Sequence, residues 1–330
     1  MIRRILVLRG GALGDFMVTL PALQLLRERW PEAQIELAGN AVAAELGVAS
    51  GLLNRVYSQH EQRWAGFYRD APLPTEFAHW LGEFDLIVNY WPDPEGALRG
   101  RFPLRDGQLF LRADALPTMA PAAAHYCEPL RPLGLIPKTW HYSLPAKGEF
   151  RSQSGRIAIH PGSGSPRKNW PPERWLELIA SLAEPVLLIL GEAEIGRWST
   201  LTSVRLEQNR GVLPHGNNAL QFAVDLPLPE LARQLRTCRL FLGHDSGISH
   251  LAAALDLPSL LLFGPTDPKM WAPPGEHVKN LQRGPALSSI SVEDVRRELS
   301  AFFGVAASVR SKLPPAQTST VSVPKPVPRT

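Results

Sequence analysis

The sequence predicts an α/β protein built as two Rossmann-like lobes facing across a cleft. Three observations carry this. Short apolar runs closed by turn residues alternate with helical periodicity. The alternation occurs twice, on either side of a polar interruption. The 330 residues exceed what a single core ordinarily organises. Strands that read as near-continuous apolar runs belong to parallel sheets covered on both faces.

In the first half the expected strands are 4–8 (RILVL), 34–38 (QIELA), 55–58 (RVYS), 85–90 (DLIVNY) and 108–111 (QLFL). In the second half they are 157–161 (IAIHP), 186–190 (VLLIL), 239–243 (RLFLG) and 259–263 (SLLLF). The polar stretch 143–156 is the linker candidate, which divides the chain into lobes 1–145 and 146–290. A helix is expected after Pro171 and Pro172, with Trp175, Leu178, Ile179 and Leu182 on one face. Residues 291–304 read as a C-terminal helix with Ser291 and Asp294 at its start. Residues 305–330, rich in Pro, Ser and Thr, read as a disordered basic tail.

Composition narrows the class. Apolar residues at 44% and charged residues at 20% fit a globular chain. The net charge of +4 resides in the tail, where Arg310, Lys312, Lys325 and Arg329 have no acidic partner; the rest balances 31 basic against 31 acidic side chains. A neutral body without a basic stripe or zinc knuckle argues against nucleic acid. Cys127 and Cys238 are too few and too far apart for a disulfide framework or a metal motif, which fits a reducing cytoplasm. The longest apolar stretch, 251–263, is interrupted by Asp256 and Pro258, so no membrane span is expected.

In open sheets of this kind ligands bind beyond the carboxyl ends of the strands. The first such loop, RGGALGDF (9–16), lacks the G-x-G-x-x-G spacing, and the second strand ends in Ala38-Gly39-Asn40 without a ribose-binding acid, so a nicotinamide enzyme is disfavoured. Asp15 has two readings: a cap for a helix beginning at Phe16, or a carboxylate aimed into the cleft as general base. The loop HPGSGSPRKNW (160–170) fails the Walker pattern around Lys168, yet it holds the parts of an anion site. Gly162, Ser163, Gly164 and Ser165 have amides free to turn inward, and Arg167 and Lys168 stand before a helix. The alternative is a surface loop with solvated cations. The third loop, GHDSGISH (243–250), is not a G-x-S-x-G elbow; Asp245, Ser246 and Gly247 stand at a helix start, and His250 either reaches a phosphate or fills the interior. Glu192 follows a strand end, where an acid can grip ribose hydroxyls or lie exposed. No Asp-x-Asp pair stands in a metal-clamping position, so no metal is expected.

Together RGGALGDFMVTLPAL (9–23), HPGSGSPRKNWPPERW (160–175) and GHDSGISHLAAALDLPSLLLFGPTDP (243–268), in this order and spacing, resemble the ADP-heptose:lipopolysaccharide heptosyltransferases of glycosyltransferase family 9. The resemblance implies the GT-B architecture, with acceptor in lobe 1–145 and nucleotide sugar in lobe 146–290. It also implies inversion at the transferred sugar, no metal and no cofactor beyond an ADP-sugar donor. By match, Asp15 corresponds to the base, Lys168 to the lysine at the donor phosphates, and Asp245, Ser246, Gly247 and His250 to the donor block. Ser163 neighbours the lysine, and Glu192 corresponds to a ribose-binding glutamate. An anionic lipopolysaccharide-core acceptor would find Arg63, Arg69, Arg99 and Arg101 in the first lobe. The implied setting is cytoplasmic, with the tail adding weak attraction to the inner membrane. Two alternatives stand beside this: a sugar-nucleotide epimerase of the same architecture, and a family member with another nucleotide sugar and glycan acceptor.

Overall fold

A computed structural model describes residues 2–69, 71–144, 155–202, 212–215 and 218–303. The expected tail and most of the expected linker lie outside the described residues. In the first lobe five parallel strands, β1 (Arg4–Arg9), β2 (Gln34–Gly39), β3 (Arg55–Ser58), β4 (Leu86–Asn89) and β5 (Leu109–Arg112), take the order β3-β2-β1-β4-β5. Helices α1 (Leu13–Arg29), α2 (Ala41–Ala49), α3 (Thr75–Gly82), α4 (Ala97–Arg101) and α5 (Ala122–Cys127) surround them.

The second sheet contains β6 (Ile157–Ile159), β7 (Val186–Leu190), β8 (Val212–His215), β9 (Asn218–Val224), β10 (Leu240–His244), β11 (Ser259–Phe263) and β12 (Val278–Gln282). Their order is β12-β11-β10-β6-β7-β9-β8, parallel throughout except that β8 runs against β9. The helices here are α6 (Pro172–Ser181), α7 (Glu192–Thr202), α8 (Leu228–Leu235), α9 (Gly247–Ala254), α10 (Pro268–Trp271) and α11 (Val292–Phe303). All nine expected strands are present within two residues at either end. β8, β9 and β12 were not expected, and each has a physical reason. β12 (VKNLQ) is only partly buried at a sheet edge, β8 (VLPH) has Pro214 in the strand, and β9 (NALQFAV) has Asn218 and Gln221 breaking its apolar run although Leu220, Phe222, Ala223 and Val224 are buried.

Alternation along each strand assigns its two faces. In the first sheet Ile5, Val7, Ile35, Leu37, Leu86 and Val88 point to one side, and Leu6, Leu8, Ala38 and Ile87 to the other, where they meet Trp64, Phe67, Phe77 and Phe84. The Ile5 side is continuous with the second lobe, joining Ala158, Leu187, Phe241 and Leu261 through Leu251 and Ala252 of α9. The two lobes are thus cemented by one apolar cluster, with α1 and α9 at its centre. Hydrogen bonds add to this: Leu144 N–H donates to the Ala254 carbonyl at 2.7 Å, and the Gln24 side chain donates from Nε2 to the Ser143 carbonyl at 2.9 Å.

Candidate active site

Topology decides which loops meet. In the second sheet β6 lies between β7 and β10, so the chain leaves β6 toward one edge and β10 toward the other, and the loops after both strands open onto the same switch point. The loop after β6 brings Lys168 and the loop after β10 brings Asp245. Lys168 Nζ stands 3.1 Å from Asp245 Oδ2, and the aspartate is only 9% exposed.

The loop that carries Lys168 is held from beneath. His244 Nε2 accepts the Trp170 N–H at 2.9 Å, and its Nδ1 faces the Gly162 carbonyl at 3.4 Å, so one ring ties down both ends of the loop. Burial pushes His244 down to about 3, leaving it neutral and able to accept. Trp170 Nε1 in turn donates to the Ile290 carbonyl at 2.9 Å. Ser163 serves the loop itself: its Oγ lies 2.8 Å from the Ser165 carbonyl and 2.6 Å from Asn169 Oδ1, and accepts the Ser165 N–H at 3.2 Å. Arg167 is exposed.

The third loop enters α9 through Ser246, whose Oγ accepts the Ser249 N–H at 3.3 Å in an N-cap. Gly247 then abuts the first lobe: a Cβ placed on it would lie 2.8 Å from Gly14 N and 2.8 Å from Leu13 Cβ. The amino-terminal turns of α1 and α9 therefore touch. Each carries the positive end of a helix dipole and unpaired amides, so their meeting creates a place where a negative charge is favoured.

Asp15 stands in that first turn of α1. The helix starts at Leu13 and not at Phe16, which corrects the expected boundary. Asp15 closes the turn from its third position by accepting the Ala12 N–H on Oδ2 at 2.8 Å. Its Oδ1 accepts from Arg9 Nη2 at 3.0 Å, and the carboxylate remains 37% exposed. Both oxygens keep a lone pair beyond these bonds, so capping and a role toward a ligand coexist. Arg9 is a member of the site that sequence reasoning passed over. Its side chain is 4% exposed, donates from Nε to Thr19 Oγ1 at 3.0 Å, and lies 4.3 Å above the Tyr126 ring. A charged residue closing an otherwise apolar buried strand was the available signal.

His250 is inside. The Tyr142 hydroxyl donates to its Nδ1 at 2.5 Å, and the Trp271 backbone also hydrogen-bonds it. Burial pushes it down to about 4, against the opposing pull of Asp245. Lys168, Asp245 and Asp15 all lie near enough for their charges to act on it. Of its two readings the interior one describes the structure, with the ring buried and neutral between Tyr142 and the Trp271 backbone.

Glu192 is exposed at the start of α7. Two residues on, Glu194 turns back: its Oε2 accepts the Gly191 N–H at 3.0 Å, and its carboxylate packs over Gly162 where a side chain would otherwise sit. Desolvation raises its proton affinity despite that amide bond. Glu194 thus lies beside the Lys168 loop as well, because the helix begins at once and places its third residue over the strand end.

Arg63 lies 4.5, 4.8 and 4.9 Å from the ring centroids of Tyr57, Trp64 and Trp80 and pairs with Glu61 at 2.7 Å, so it serves its own lobe. Arg69 and Arg99 are exposed, and Arg101 donates to the Ala71 carbonyl at 3.4 Å.

Two parallel α/β lobes with strand-end loops converging between them define the GT-B architecture. Residues 135–295 match the model of glycosyltransferase family 9 (heptosyltransferase). It is 23% identical over 295 residues to lipopolysaccharide heptosyltransferase 1 of Salmonella typhimurium, covering 80% of this chain and 89% of that protein. Its fold matches a family 9 glycosyl transferase of Veillonella parvula with a TM-score of 0.71 at 19% identity, over 91% of this chain and 96% of that one. It matches Escherichia coli heptosyltransferase WaaC with ADP with a TM-score of 0.69 at 20% identity, over 90% and 99%. Among the described residues no helix is long and apolar enough to cross a membrane.

Proposed function

We propose that this glycosyltransferase moves heptose from ADP-heptose to a lipopolysaccharide-core acceptor, with inversion and without a metal. The observation that carries the reading is the convergence of Lys168, Asp245 and the amino-terminal turn of α9 on the turn of α1 that holds Asp15. Relatives of this chain are lipopolysaccharide heptosyltransferases 1 and 2, and one fold neighbour was solved with ADP, which supports the choice of nucleotide and acceptor class.

The chemistry follows from the geometry. The diphosphate takes the place between the helix starts, where amides of α9 and Lys168 stabilise the charge that grows as the sugar–phosphate bond breaks. Lys168 exchanges its partner from Asp245 to phosphate, and Asp245 faces the sugar. Asp15, steadied by Arg9, takes the proton of the acceptor hydroxyl as that oxygen attacks the anomeric carbon opposite the leaving group. Glu194, in place of Glu192, offers a carboxylate for ribose hydroxyls.

Two substitutions separate these roles. Asp15→Asn removes the charge and, with one acceptor oxygen in place of two, keeps one of the bonds to Ala12 and Arg9; ADP affinity measured by calorimetry should stay within about twofold while transfer falls at least about 100-fold. Lys168→Ala should weaken ADP binding about 10-fold to 100-fold, the worth of one charge-assisted hydrogen bond. Full transfer by Asp15→Asn removes it as base, and an unchanged ADP constant in Lys168→Ala removes the phosphate role. Turnover of ADP-heptose without acceptor would support an epimerase instead.

A further inference from the structure

A second site lies at the far end of α9. His141 from the segment joining the lobes, Asp256 from the turn after α9 and His277 before β12 each present a ligand atom within 4.8 Å of the other two. His141 Nε2 and Asp256 Oδ1 are already 3.0 Å apart. His277 donates its Nε2 proton to the Ala253 carbonyl at 3.1 Å, which fixes the tautomer and leaves the Nδ1 lone pair available.

The backbone keeps the space between the rings open. Gly275 has φ of +144°, and a Cβ on it would stand 2.7 Å from His277 Nδ1 and 3.3 Å from His141 Nδ1. The two rings face each other edge to face at 5.4 Å, and Asp256 adopts a left-handed φ of +57°. That conformation costs an L-residue energy and is accepted mainly by Gly, Asn and Asp.

We propose that His141, Asp256 and His277 bind a divalent transition metal of the zinc class, clipping the interlobe segment to the second lobe. Two imidazoles and one carboxylate form a ligand set suited to zinc or cobalt, with a fourth position for water. Ligands at about 2.0 to 2.1 Å from zinc stand about 3.4 Å from each other at tetrahedral angles, so closure needs side-chain shifts of about 1 Å. The eight residues of α9 put the site about 12 Å from the helix start at Gly247, so the metal takes no part in the transfer chemistry. Its effect is mechanical. Tyr142, which bonds His250 in the interior, directly follows His141, so fixing His141 fixes this segment against α9.

Cobalt titration of the untagged full chain, previously stripped with chelator, tests this. We expect one equivalent of Co²⁺ with the visible bands of a tetrahedral nitrogen–oxygen site, displaced by Zn²⁺. We also expect the unfolding midpoint to rise by about 5 °C in Zn²⁺ at a hundredfold excess over the dissociation constant. Asp256→Asn tolerates the left-handed backbone and His141→Ala changes only the exposed segment; each should weaken Co²⁺ at least tenfold and leave ADP binding unchanged. Absence of the bands at millimolar Co²⁺, or bands that persist at full affinity in both variants, overturns the site.

Discussion

Gly247→Ala tests whether the two helix starts meet. The new Cβ would lie 2.8 Å from Gly14 N, 2.8 Å from Leu13 Cβ and 2.9 Å from Leu13 Cγ. Separations under 3.0 Å do not persist, and two of the three obstacles are a backbone atom and a Cβ, so no rotamer change relieves them. Overpacking of this kind costs about 1 to 3 kcal/mol, while replacing Gly by Ala in a helix returns at most about 1 kcal/mol. The net is a loss of about 1 to 2 kcal/mol. Gly14→Ala is the matched control, because a Cβ there finds nothing nearer than Gly247 Cα at 3.7 Å. It keeps the propensity gain without the clash. Thermal and denaturant unfolding of both variants, with ADP titrations on each, give the comparison. The expected order of stability is Gly14→Ala equal to or above wild type and Gly247→Ala below both, by about 2 to 6 °C. Gly247→Ala should also weaken ADP, since the α9 amides move relative to Lys168. Equal stabilities, or the reverse order, would refute the contact between α1 and α9.

Acid sensitivity follows from three buried histidines. Burial pushes His160 and His250 down to about 4 and His244 to about 3, from 6.5 unfolded, so the unfolded chain binds protons the folded one refuses. Stability should therefore fall as pH drops below about 6.5, by several kcal/mol (order of magnitude) at pH 4, with His244→Gln lessening the slope in denaturant titrations at each pH. Glu194→Gln keeps an acceptor for the Gly191 amide but removes the charge, and calorimetry should show ADP weakened about tenfold with the midpoint of unfolding within 2 °C of wild type. Because desolvation raises the Glu194 proton affinity, ADP should bind more weakly as pH falls through its titration in wild type and not in Glu194→Gln. Asp245→Asn releases Lys168 and removes a negative charge from beside the phosphates, so ADP affinity should hold or rise while transfer falls; a tenfold loss of ADP affinity would contradict the exchange of partners.

The central strands were legible because they are buried on both faces and read as apolar runs. β1, β7 and β11 are found within a residue of their expected bounds for that reason. β12 carries only one buried residue in five, and no periodicity marks it; its pairing with β11 is a tertiary fact. The loops were legible as anion-facing because glycines and serines stood between a strand and a helix. Which side chain of each loop turns inward was not, because that depends on where the helix begins. Glu194 and Glu192 differ by about 200° around a helix, and Asp15 changed from an N-cap to a first-turn acceptor when α1 began three residues early.

That same dependence explains why the site has its charge pattern. Two helices pointing their amino-terminal ends at one spot repel through their dipoles unless negative charge stands between them. Asp15 and Asp245 supply it, and each is tethered to a cation, Arg9 and Lys168, that comes from the strand end or loop beside it. The two pairs are not equivalent. Arg9 is buried, bonds Thr19 and lies on Tyr126, so its hold on Asp15 is permanent and orients that carboxylate. Lys168 is 25% exposed on a three-residue turn with Asp245 as its partner, so it is the cation that an incoming diphosphate can capture. Under the proposed function, one ion pair fixes the acceptor side of the cleft, and the other opens for the donor.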